Sequence, residues 1–207
     1  MVIGSDVPTI AIYESGKVLY KRVENDKMEY YSVDLDFEQT QELILDLGIT
    51  EQLEEMSAFI QVSDWTDQPT NELILNFDTV LVKRVYGNLR KDSEERQKTP
   101  VEFLTVYDNL NKYKNENEKP WLPDFIEVML TDYSHSPEKP IKWAKEWADL
   151  NDETTVQRSE NLYSVYIPQS EFQKFKELVS NLKEKQAIEV NGRKFSVSYR
   201  IPFPNLR

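Results

Sequence analysis

The chain has 207 residues, 37 Asp plus Glu against 25 Lys plus Arg, one His, no Cys and a formal charge of -12. That length suits one large domain or two small ones, and 39% hydrophobic with 12% aromatic residues suffices for a packed core. The absence of Cys excludes disulfides, thiolate metal sites and Cys nucleophiles, and a single His excludes multi-histidine sites, while the acidic balance argues against an electrostatic grip on nucleic acid or anionic lipid.

No stretch approaches the roughly 18 to 20 apolar residues of a membrane span, so no membrane insertion is expected. The opening residues Met1 to Asp6 lack a basic and then apolar leader. They fit a cytoplasmic protein, and a chain starting after a removed signal peptide would read the same way.

In chain order, Thr9 to Tyr13 and Lys17 to Val23 read as strands joined by Glu14-Ser15-Gly16, with Gly16 supplying a positive φ. A third strand, Lys27 to Val33, follows Asn25-Asp26. The first helix has Asp36 as N-cap, Gln39 at the capping-box position, apolar Phe37, Leu43, Ile44 and Leu47, and Gly48 past its end. A short helix is expected over Glu51 to Ile60, then a hairpin of Glu72 to Phe77 and Val80 to Tyr86 around Asp78-Thr79. Residues 87–99 read as an exposed connection or frayed helix. Thr99, Pro100 and Glu102 then mark a helix start, with Phe103, Leu104, Tyr107 and Leu110 on its inner face.

The polar run Asn111 to Lys119, ending at Pro120, is the best boundary in the chain. Beyond it come strands Phe125 to Leu130 and Tyr163 to Ile167, and a helix capped by Ser170 with Phe172, Phe175, Leu178, Val179 and Leu182 on one face. Last is the hairpin Ala187 to Val190, Asn191-Gly192, Arg193 to Arg200. Asn-Gly demands a type I′ turn, which pairs Val190 with Arg193 and Ile188 with Phe195 and sets Ile188, Val190, Phe195, Val197 and Tyr199 on one core face. The fold class that follows is α+β, with antiparallel sheets, helices on one face, and two subdomains, 1–119 and 120–207.

Chemistry-bearing patterns are sparse. His135 lies in Thr-Asp-Tyr-Ser-His-Ser-Pro with Asp132 and Ser134, but triad members are assembled by a fold rather than by sequence adjacency, so a loop His stacked on a neighbour is the expectation. Asp64 and Asp67 match no calcium loop. Five Gly residues build no phosphate-binding loop, and scattered carboxylates with Trp65, Trp121, Trp143 and Trp147 do not define a glycosidase pair. No cofactor or metal is expected. Trp143 and Trp147 lie one helical turn apart, a stripe expected to pack on its own core if helical.

The charge is uneven. Residues 1–90 hold 17 acids and 7 bases, residues 91–207 hold 20 and 18, and between Lys27 and Lys83 there are 13 acids and no base. Such a tract serves as a solvated face or as a docking surface for a basic protein. The leading expectation is a non-enzymatic interaction protein that binds or inhibits a basic partner, with Asp34, Glu38, Glu42, Asp46, Asp64 and Asp67 as the charges and Tyr31 or Trp65 as the anchor. A carboxylate-dependent hydrolase and a structural module of a bacterial surface or secretion assembly are the alternatives.

Overall fold

The computed structural model describes residues 7–76 and 79–204. Along the chain run β1 (Ile10–Ile12), β2 (Lys17–Glu24), β3 (Lys27–Asp34), α1 (Phe37–Asp46), α2 (Glu51–Glu55), β4 (Phe59–Gln61), β5 (Thr70–Asn76), β6 (Val80–Tyr86), α3 (Glu94–Lys98) and α4 (Val101–Lys112). There follow β7 (Lys119–Pro120), β8 (Phe125–Asp132), β9 (Ile141–Lys142), β10 (Val156–Ser159), β11 (Leu162–Pro168), α5 (Phe172–Ser180), β12 (Ile188–Val190) and β13 (Arg193–Arg200). The strands form sheets ordered β1-β2-β3-β7, β10-β11-β8-β13-β12-β9 and β4-β6-β5. Pairing is mostly antiparallel, with β4 on β6 and β9 on β12 parallel, so the protein is α+β.

The chain divides into two compact units: residues 1–8, 22–31 and 120–207 form one, and residues 9–21 and 32–119 the other. In the first unit, β8 is central to the six-stranded sheet. The side chains Ile126, Val128, Leu130, Val165, Ile167, Ile188 and Phe195 share a buried cluster with Phe172 and Phe175 of α5. The Asn191-Gly192 turn has φ 48° and 78°, the left-handed pair a type I′ turn requires, and Ile188 faces Phe195 while Val190 faces Arg193. Asn25 and Asp26 (φ 49° and 62°) make the same kind of turn between β2 and β3. Trp143 and Trp147 are buried edge to face 4.8 Å apart in turns after β9, not on a helix. Their indole N–H groups donate to the Ala148 carbonyl and to Glu171 Oε2.

In the second unit, Leu53 of α2, Phe103 and Val106 of α4, Leu73 of β5 and Val85 of β6 make the core with Leu47, Val62 and Leu89. Asp36 Oδ1 accepts from the Gln39 N–H at 2.9 Å, and Gln39 Oε1 accepts from the Asp36 N–H, a complete capping box.

Several local expectations are corrected. Phe37 opens α1 but faces solvent, because the buried side of this helix is Thr40 and Leu47 with Leu43 and Ile44 half-buried. Residues 59–61 are a strand rather than the end of a helix. α2 stops at Glu55, where the buried Lys83 ammonium donates to the Glu54 and Met56 carbonyls. Thr99 does not cap α4: it ends α3, its hydroxyl donating to the Glu95 carbonyl, and Pro100 stands at the N-cap. Ser170 sits in a 3-10 turn, so α5 starts two residues later without a side-chain cap. Tyr199 lies at the exposed margin of its face, against the edges of Phe172 and Phe175. Asp78, in the expected hairpin turn, falls outside the described residues.

Candidate functional site

The unit of residues 9–21 and 32–119 contains 20 acids and 11 bases, the other unit 17 and 14. Nine of the twelve net charges therefore belong to the acidic unit. Its first base after the base-free tract, Lys83, is buried on backbone carbonyls and does not neutralise the surface.

α1 shows how that surface is built. At about 100° per residue, Leu43, Ile44, Leu47 and Thr40 form one side, and the opposite half carries two adjacent rows. One row is Glu38, Glu42 and Asp46, all exposed. The other begins and ends with Phe37 and Leu45, which are 78% and 80% exposed. No cation pairs with Glu38, Glu42 or Asp46 among the described residues, whereas Lys17 Nζ lies 3.9 Å from Asp34. The last turn of α1 holds Asp46 and no base, although a helix C-terminus favours cations. Asn109 Nδ2 supplies the missing donors to the Asp46 and Leu47 carbonyls.

Asp64, Trp65 and Asp67 sit in the loop between β4 and β5. Ser63 pins its start, donating to Glu95 and accepting from the Trp65 N–H. The Tyr86 hydroxyl pins its middle, donating to the Trp65 carbonyl at 3.1 Å and accepting from the Gln68 N–H at 3.1 Å. Asp67 takes the left-handed conformation at φ 60°. The tethers hold the backbone while the Trp65 side chain is left 75% exposed.

Tyr31 belongs to the other unit. Its hydroxyl donates to Glu24 at 2.7 Å and Arg22 lies over its ring at 4.0 Å. The bond to Glu24 holds its pKa above the ordinary tyrosine value. The structure thus brings Glu38, Glu42 and Asp46 together on one helix, groups Asp64, Trp65 and Asp67 in one loop, and places Asp34 at the end of β3.

Exposed apolar side chains that the sequence does not single out include Leu45, Phe59, Ile74, Val80 and Val101 in this unit. Leu45 falls out of phase with Leu43, Ile44 and Leu47, and that phase error beside an acidic row was the available signal. Elsewhere, His135 is exposed and stacks edge-on against Tyr133, centroids 4.8 Å apart. Asp132 next to it accepts from Ser134 and lies 3.6 Å from Arg193, and these contacts, the Ser134 bonds first, hold its pKa below the usual carboxylate value. A shallow pocket of about 400 Å³ is lined by Ser32, Val33, Asp34, Asn117, Glu118 and Lys119. No group of three or more acids and His that could hold a metal occurs among the described residues. Comparison of the chain with protein-family models, with curated proteins and with solved structures found no match.

Proposed function

We propose that the acidic unit is a docking surface for a basic protein, which it binds through α1 and, at a second point, through Trp65. The observation that carries this reading is the exposed half of α1, where Phe37 and Leu45 stand beside the acidic row Glu38, Glu42 and Asp46. Protein partners are held by a few large apolar side chains and steered by complementary charge, and both elements lie here on one short helix. Neither is required by the fold: the two apolar side chains are solvent-facing, and Asp46 opposes the helix dipole.

The test is capture from a lysate of the source organism by immobilised wild-type chain and by a Phe37→Ser, Glu42→Lys, Leu45→Ser variant, with circular dichroism confirming that the variant is folded. The expected result is a basic protein retained by the wild type and lost with the variant. Retention that is indifferent to these three substitutions contradicts the reading.

A further inference from the structure

Among the described residues the three sheets have six edge strands, and five of them are blunted. β1, β4, β7 and β9 are two or three residues long, and β10 has four residues, a register shift between Gln157 and Ser159, and Arg158 in the middle. Short edges, bulges and cations are the devices that keep sheet edges from recruiting other chains. β5 is neither short nor bulged, and its one charged side chain, Glu72, is paired with Arg84 of the neighbouring strand. It runs seven residues, Thr-Asn-Glu-Leu-Ile-Leu-Asn, pairs only with β6 among the described residues, and keeps an unbroken register from Thr70 opposite Tyr86 to Asn76 opposite Val80.

Its two rows differ. Leu73 and Leu75 point to the core side, buried and half-buried, whereas Glu72 and Ile74 point to the open face, where Glu72 pairs with Arg84 and Ile74 is exposed opposite Val82. A strand added along β5 would meet leucines with one row of side chains, and a carboxylate and an isoleucine with the other. The second row suits lysine, whose stem covers apolar surface while its ammonium reaches the carboxylate.

We propose that β5 is a strand-addition site, and that its occupant is an extended segment of the partner in which basic and apolar residues alternate. This deepens the docking reading above and rests on it. Charge decides the occupant: a second copy would set one unit of net charge -9 against another and bring no base from the tract that contains β5, whereas a basic segment is attracted by it. Backbone hydrogen bonds to β5 supply the grip and the alternation supplies the selectivity.

The probe is an acetylated, amidated heptapeptide alternating lysine and valine, titrated into the isotope-labelled full chain and followed by NMR amide shifts and hydrogen exchange. Two controls accompany it, a glutamate-valine peptide and a lysine-valine peptide methylated on alternate backbone nitrogens. The expected result is saturable perturbation and protection of the amides of Thr70–Asn76, with at least tenfold weaker binding of both controls and of an Ile74→Lys chain to the parent peptide. Equal binding of the methylated peptide, or perturbation that spares β5, overturns the proposal. Sedimentation showing a dimer of the chain that Ile74→Lys dissociates overturns the choice of occupant. If the β5 outcome is negative while capture still depends on Phe37, Glu42 and Leu45, strand addition fails and the docking reading stands.

Discussion

Glu127 is the most buried charged residue among the described residues. It projects from β8, the central strand of the six-stranded sheet, is only 2% exposed, and accepts from Arg200 at 2.5 and 3.1 Å, Ser164 at 2.6 Å and Arg158 at 3.3 Å. Burial alone would raise its pKa, but the hydrogen bonds from Arg200 and Ser164 with the charges of Arg200 and Arg158 outweigh it, and the net shift is downward. A carboxylate with a depressed folded-state pKa contributes stability that is complete above its unfolded value, near 4.5, and is lost as the pH falls through the lower folded value. Glu127→Gln is therefore expected to flatten the loss of stability below about pH 4.5, as followed by urea unfolding across pH. Glu127→Ala removes the shared acceptor of Arg200, Arg158 and Ser164 and is expected to cost about 1–3 kcal/mol at neutral pH in the same assay. Gly16 is constrained in a different way. At φ 81° a Cβ would lie 2.1 Å from the Leu35 carbonyl oxygen, so Gly16→Ala must shift backbone, and a clear fall in thermal midpoint is expected.

At the level of elements, the docking proposed for α1 sets stability against recognition. Replacing Asp46 by Lys gives the helix C-terminus the cation it lacks and is expected to stabilise the chain by about 0.3–1 kcal/mol in urea unfolding while weakening retention of the basic partner. The same elements show what the sequence reveals. Asn191-Gly192 and the box of Asp36 and Gln39 were legible because each is decided by a few adjacent residues: left-handed φ in one case, reciprocal side-chain bonds in the other. Ser170 and Thr99 carry equally good N-cap chemistry yet cap no helix N-terminus. Ser170 is displaced by the 3-10 turn over Gln169–Glu171, and Thr99 is taken as the end of α3. β4 was hidden because its partner, β6, lies about twenty residues away, and the fate of Phe59–Gln61 is set by that parallel pairing. Of the candidate site, the acidic row was visible as composition. The exposure of Leu45 has a signal in its phase, but that of Phe37 has none, since which side of a helix is buried depends on what it packs against.

Across the whole molecule the net charge of -12 resolves into -9 on one unit and -3 on the other. The acidic unit also carries the exposed Phe37, Leu45, Trp65 and Ile74 and, among the described residues, the unpaired edge of β5, so charge, exposed apolar side chains and strand edge belong to the same unit. Charge of this kind acts mainly on the rate of encounter, and apolar anchors act on the lifetime of the complex. The two contributions separate experimentally, since salt with a Debye length of about 10 Å at 0.1 M screens the first and leaves the second. The most direct measurement is the association rate of the chain with its retained basic partner, by stopped flow from low to high ionic strength, for the wild type and for Glu38→Gln, Glu42→Gln, Asp46→Asn. The account predicts a wild-type rate that falls at least tenfold over that range, and a variant that is slower at low salt and nearly flat. A wild-type rate independent of ionic strength, or a variant with the wild-type slope, would contradict it.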